Sequence, residues 1–121
     1  MKVLVVDDSE VIAHLMKTVI EIAGHEVTAI SENVERLVDP SHALWDGVKA
    51  LVCDLRMPGV SGFEVLATAK IHHPHIYRIA LTGWSHDEAA LDTLRDIASE
   101  VLVKPRDVLK VVELLGVWEG R

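Results

Sequence analysis

Four polar groups in this 121-residue chain each stand directly behind a short apolar run. Residues 2–6 end in Asp7-Asp8, residues 50–53 in Asp54, residues 77–81 in Thr82-Gly83, and residues 101–103 in Lys104-Pro105. Three carboxylates gathered in one place repel one another, and some must take up protons unless a cation holds them together. An all-oxygen set of carboxylates, a main-chain carbonyl and water suits Mg²⁺, which takes octahedral geometry and keeps several of its waters. A lysine ammonium and a threonine hydroxyl do not suit a bare metal cage. Beside a divalent ion they are what a phosphoryl group requires, because negative charge spreads over its equatorial oxygens during transfer. One carboxylate would then be the nucleophile, forming an acyl phosphate. Asp54, alone at the end of the central run, is best placed for it.

These residues need a frame that brings them together. The run before Asp54 is continuously apolar and of strand length, as expected of a strand buried on both faces. An acid at its end must emerge at the carboxyl edge, where open α/β sheets keep their binding sites. Met57-Pro58-Gly59 can continue neither a central strand nor a helix, so the chain should turn there. Before it, Val11, Ile12, Leu15, Met16, Val19, Ile20 and Ala23 recur at helical spacing, with Ser9 or Asp8 as cap and Gly24 as terminator. Residues 25–30 read as a second strand and 31–38 as a short helix ended by Asp39-Pro40. A helix over 63–72 places Phe63, Leu66, Ala67 and Lys70 on nearly one face, and Pro74 ends it. Helices over 87–98 and 107–117 flank the last strand.

Five strands alternating with five helices predict an α/β fold, a single-domain, doubly wound, five-stranded parallel sheet covered on both faces, with right-handed crossovers. Its strands would deliver Asp7, Asp8, Asp54, Thr82 and Lys104 to one rim. The length suits one domain, residues 1–121, and 50% apolar composition is ample for its core. Twelve Lys plus Arg against 19 Asp plus Glu give a net charge of −7, which disfavours non-specific contact with nucleic acid or an anionic membrane. Proteins or cations are the expected partners. Cys53, the single cysteine, is expected in the core. No signal-peptide pattern or long apolar stretch is present, so a soluble cytoplasmic protein is expected. His72, His73 and His75 surround Pro74 in a helix-to-strand loop without a defined ligand set, and zinc is not expected there. His14 and His86 are expected on helix surfaces or caps.

The ordered set Asp7-Asp8, Asp54-Leu55-Arg56-Met57-Pro58 with Gly62, Thr82-Gly83 and Lys104-Pro105 resembles the receiver domain of two-component response regulators, over essentially the whole chain. The resemblance implies the flavodoxin-like strand order 2-1-3-4-5. It also implies that Asp54 accepts a phosphoryl group from a sensor histidine kinase or phosphotransfer protein. Asp7 and Asp8 would help hold Mg²⁺ with Asp54 and the Arg56 carbonyl, while Thr82 and Lys104 bind phosphoryl oxygens. Such a chain is a phosphoacceptor that catalyses its own phosphoryl transfer and slow dephosphorylation, rather than an enzyme acting on another substrate. The Lys104-Pro105 bond is often cis in this family.

One departure stands out. Many receivers carry an aromatic residue three positions before the lysine, coupled to the threonine on phosphorylation, and here Val101 takes that place. The usual threonine-aromatic switch is therefore not expected; Trp84 either takes over part of the signalling or only shields the site. Arg56 and Trp84 occupy positions that tune attack of water on the acyl phosphate in this family, and their bulk is expected to prolong the phosphorylated state.

The closing helix offers Val108, Val111, Val112 and Leu115 at core spacing, together with Leu109, Leu114, Val117 and Trp118. That surplus predicts a partner on the face formed by the last two helices and last strand, a second copy or a downstream protein, with association strengthened by phosphorylation. Two alternatives are a haloacid dehalogenase-type phosphatase, disfavoured by adjacent Asp7-Asp8 and the short length, and a pseudo-receiver binding module not controlled by phosphorylation. With no effector segment after Arg121, a stand-alone or excised receiver is expected.

Overall fold

Each of the five expected strands forms in the computed structural model, which describes residues 1–55, 57, 59, 61–83, 88–103, 107 and 109–120, excluding the side chains of 88–91. In chain order the elements are β1 (Lys2–Val6), α1 (Glu10–Ile22), β2 (Glu26–Ile30), β3 (Ala50–Asp54), α2 (Gly62–His72), β4 (Tyr77–Thr82), α3 (Glu88–Ile97), β5 (Glu100–Val103) and α4 (Lys110–Glu119). All pairings are parallel and the order is β2-β1-β3-β4-β5, as expected.

β3 is buried at every position because it feeds two cores. Val52 packs with Val3, Val5, Ile79 and Leu81 under Met16 and Ile20 of α1 and Val111 and Leu115 of α4. Leu51 and Cys53 point the other way, with Leu4, Val6 and Ala80, under Leu66 and Ala69 of α2 and Leu94 of α3. Side chains alternate across a strand, so a sheet covered on both faces needs a central strand that is apolar at every residue.

The expected helix over 31–38 is a single 3₁₀ segment, Val34–Val38, followed by another at Ala43–Trp45. Four α-helices rather than five are therefore present among the described residues. Asn33 sits in the left-handed region at φ 53° and Asp39-Pro40 stops the chain, leaving too few residues for the costly helix nucleus. The segment is held instead by Arg36, whose guanidinium donates to the carbonyls of Asn33 and Glu32, and by Trp45, whose indole N–H donates to the Leu37 carbonyl.

Two helix faces also differ from the pattern. In α1 the buried residues are Ala13, Met16 and Ile20, whereas Val11, Leu15 and Ile22 face outward. A helix lying on a sheet covers one stripe, and seven apolar residues exceed it. In α2, Val65, Leu66 and Ala69 are buried, while Phe63, Ala67 and Lys70 are only partly so. α4 begins at Lys110 rather than 107; Leu114 and Trp118 are partly buried, and Leu109 and Val117 are exposed. Val108 and His86 lie outside the described residues. No helix among the described residues is long and apolar enough to cross a membrane.

Candidate functional site

Register brings the strand ends level. Val6 pairs with Cys53, Asp54 with Leu81, and Thr82 with Val103, so the last residues of β1, β3, β4 and β5 share the carboxyl edge. One carboxylate oxygen from each of Asp7, Asp8 and Asp54 lies within 4.8 Å of the other two. These are the three acids expected to meet.

They sit in different surroundings. The Asp7 N–H donates to the Ile30 carbonyl at 3.1 Å, which continues the β1–β2 ladder and turns its side chain inward. Its carboxylate accepts from the Ser9 N–H at 2.9 Å, and Ser9 Oγ in turn accepts from the Ile12 N–H at 3.3 Å, capping α1. Asp7 and Asp54 are buried and Asp8 is exposed, the alternation of an extended chain leaving the sheet. Asp8 also lines a cleft of about 270 Å³ with Ser31, Asn33 and Met57.

Asp54 is held from two sides. The Leu55 N–H donates to the Leu81 carbonyl at 3.1 Å, and the Gly62 N–H donates to the Leu55 carbonyl at 3.1 Å, tying the start of α2 beneath the acid. Gly62 was recognisable only as part of the resemblance; its reason is steric, since a side chain there would run into the Asp54 backbone. Cys53 is buried, and its S–H donates to the Asp54 carbonyl at 3.3 Å. Burial, then the Asp54 and Asp7 carboxylates, push its thiol well above the ordinary range. It is a core residue, as expected.

Thr82 is buried at the end of β4, on the strand beside β3. Its register partner Val103 precedes Lys104 in sequence. Lys104, Pro105, Arg56, Pro58 and Trp84 lie outside the described residues, so the expectations placed on them stay with the sequence. Val101, at the position many receivers give to an aromatic, is partly buried against the core.

Asp107 was not singled out from sequence. Its buried carboxylate accepts from the Val103 N–H at 3.0 Å and lies 3.4 Å from Lys110 Nζ, while its own N–H donates to the Val103 carbonyl at 2.7 Å. The available signal was an aspartate just ahead of an apolar helix, a capping position. His73 serves packing: its ring stacks on Trp45 at 5.2 Å, and Nε2 hydrogen-bonds the Pro40 carbonyl at 2.8 Å.

Three carboxylate oxygens fit a hard divalent ion. An octahedral Mg²⁺ with bonds of about 2.1 Å spaces its ligand atoms roughly 2.9–4.2 Å apart, so the cluster closes around one with small side-chain movements.

Comparison with known proteins agrees with this geometry. The family model for the response regulator receiver domain matches residues 3–115. The response regulator protein FleR of Pseudomonas aeruginosa is 25% identical over 115 residues, 95% of this chain and 24% of FleR. Among solved structures, the BeF3-activated DrrB receiver domain superposes with a TM-score of 0.82 at 24% identity, covering 99% of this chain and 97% of that one. TrrA of Thermotoga maritima, solved in complex with Mg²⁺-BeF, gives 0.75 at 26% identity, covering 95% and 96%. The chain spans about a quarter of the length of the first curated relatives it matches. The matched span takes in Asp7, Asp8, Asp54, Thr82 and Lys104 alike, and the chain belongs to the response regulator receiver domain family.

Proposed function

We propose that residues 1–121 act as one cytoplasmic receiver domain in which Asp54 accepts a phosphoryl group from a histidine kinase or phosphotransfer protein. The observation that carries this reading is the meeting of Asp7, Asp8 and Asp54 at one sheet edge in a chain of this family. It leaves the pseudo-receiver alternative without support.

An Asp54 carboxylate oxygen attacks phosphorus; the new O–P bond forms as the bond from phosphorus to the donor's leaving group breaks, and that electron pair leaves with the donor. Asp7 and Asp8, with Asp54 and the Arg56 carbonyl, would hold Mg²⁺, which when bound offsets the charge of the acids and of the transferring phosphoryl oxygens. The Lys104 ammonium and the Thr82 hydroxyl take the remaining phosphoryl oxygens. Burial of Asp7 and Asp54 keeps water from screening these charges. Slow hydrolysis of the acyl phosphate at the same site returns the carboxylate.

The signal leaves through the face of α3, β5 and α4. Leu109, just before α4, and Val117 within it are 71% and 54% exposed, apolar surface suited to a second copy or a downstream protein. Sedimentation with and without beryllofluoride tests the self-association branch; one unchanged monomer removes it.

The deciding experiment titrates tryptophan fluorescence with Mg²⁺ and then beryllofluoride, and follows labelling by acetyl phosphate, in wild type and Asp54→Asn. A response and a label present in wild type and lost in the variant are expected. Equal labelling of both, or of neither, would exclude Asp54 as acceptor.

A further inference from the structure

Helix α1 carries two apolar stripes, and the sheet uses one of them. Ala13, Met16 and Ile20 are buried against the core. On the opposite side Val11, Leu15 and Ile22 are 77%, 47% and 82% exposed, and Thr18 stands among them. The Thr18 hydroxyl donates to the His14 carbonyl at 3.0 Å, so it is satisfied within its own helix and tolerates an apolar neighbour. Spacings of four, three and four residues set 11, 15, 18 and 22 in one line, the seam of a helix pair. Single exposed apolar residues are ordinary, whereas a line of them along a whole helix is a contact surface.

The stripe is complementary to itself. Beside Val11 the surface is hollow, a cavity of about 340 Å³ lined by Glu10, Val11 and His14. At the other end stands Ile22, the last residue of α1 and its most exposed apolar side chain. At the helical rise the two are about 16 Å apart along the axis. When two α1 helices lie antiparallel about a two-fold axis between Leu15 and Thr18, each Ile22 meets the other copy's hollow and each Leu15 meets the other copy's Thr18. His14 and Glu21 lie on the same flank of the stripe, so the two-fold sets each imidazole beside the other copy's carboxylate. A parallel pair would set Ile22 against Ile22 and leave both hollows empty.

We propose that two copies of this chain associate through α1, antiparallel about a two-fold axis, with Ile22 of each copy seated beside Val11 of the other. A contact of this isologous kind closes at two copies. One helix from each copy is less than a stable interface requires, so the pair is weak and forms at high local concentration. It uses none of the acids at the carboxyl edge and neither Leu109 nor Val117, so it stands or falls separately from phosphoryl transfer.

Sedimentation equilibrium without Mg²⁺ or beryllofluoride tests this, with the loading raised from about 10 μM to about 1 mM, the range of a weak contact. The wild-type mass should climb toward that of two copies. Ile22→Glu, at an exposed position, should associate at least about tenfold more weakly, because one substitution alters two apolar contacts of a two-fold pair. Leu109→Glu, ahead of α4, should associate as wild type does. A short bis-maleimide reads the register, since Cys53 is buried and offers no competing thiol. Thr18→Cys should link to itself. Val11→Cys should not, its two copies standing about 16 Å apart, yet it should link to Ile22→Cys in a mixture. Association unchanged in Ile22→Glu or lost in Leu109→Glu, or Val11→Cys linking to itself, would overturn the proposal. A wild type monomeric throughout would overturn it too and leave the stripe to a foreign helix.

Discussion

Gly62 lies so close beneath Asp54 that a side-chain carbon on it would overlap the Asp54 carbonyl oxygen and stand 2.7 Å from Leu55 Cα. Both neighbours are backbone, so neither can swing aside as a flexible side chain would. The absence of a side chain here is what lets α2 start against the strand that presents Asp54.

Gly62→Ala should therefore displace either the helix or the acid. Overpacking of this kind costs about 1–3 kcal/mol. A lower urea midpoint together with slower labelling by acetyl phosphate is expected; a variant matching wild type in both would show that the close approach is dispensable.

Asp107 and Val103 bind each other twice, once through the carboxylate and once through the backbone, and Lys104 lies between them in sequence. Asp107→Ala removes the acceptor of the part-buried Val103 N–H, a loss of about 1 kcal/mol. Slower labelling at unchanged Mg²⁺ affinity is expected, with Asp107→Asn intermediate because it keeps an acceptor oxygen. Equal labelling rates in all three proteins would confine Asp107 to stability.

The Cys53 thiol carries a pH dependence of known sign. In the unfolded chain it ionises near 9.0, while in the fold burial holds the proton on well beyond that. Above about pH 9 the unfolded chain binds fewer protons than the native one, so stability falls as pH rises, by at most about 1.4 kcal/mol per pH unit from this group. Urea unfolding of wild type and Cys53→Ala should show their difference shifting against wild type by about 1 kcal/mol between about pH 9 and pH 10. A constant difference would mean that Cys53 ionises alike in both states.

Arg56 and Trp84 are predicted from their positions to slow hydrolysis of the acyl phosphate. Replacing both with alanine should speed its decay, measured by loss of label in Mg²⁺. Decay that is unchanged or slower contradicts the prediction.

Much of this frame could be read from residue order. Apolar runs ending in Asp7, Asp54 and Thr82 announced strands that stop at polar residues, because a buried strand cannot carry an acid further than its end. The region after β2 could not be read so. Ser31 to Val38 has helix-compatible residues, yet a left-handed Asn33 and the stop at Asp39-Pro40 leave room for one 3₁₀ segment only. The buried face of α1 was hidden by excess: with apolar residues on more than one side, only the sheet beneath decides that Met16 and Ile20 go in and Val11 stays out.

By itself the sequence determined the chemical inventory: which strand is apolar throughout, and which carboxylates, hydroxyl and ammonium follow the strand ends. Tertiary structure alone decided that Val6 lies level with Cys53 and Thr82 with Val103, that Asp7 turns inward while Asp8 faces a cleft, and that Gly62 must be bare. The physical reason is range. Burial pattern is set by neighbours two to four residues apart, whereas register is set by hydrogen bonds between segments far apart in the chain.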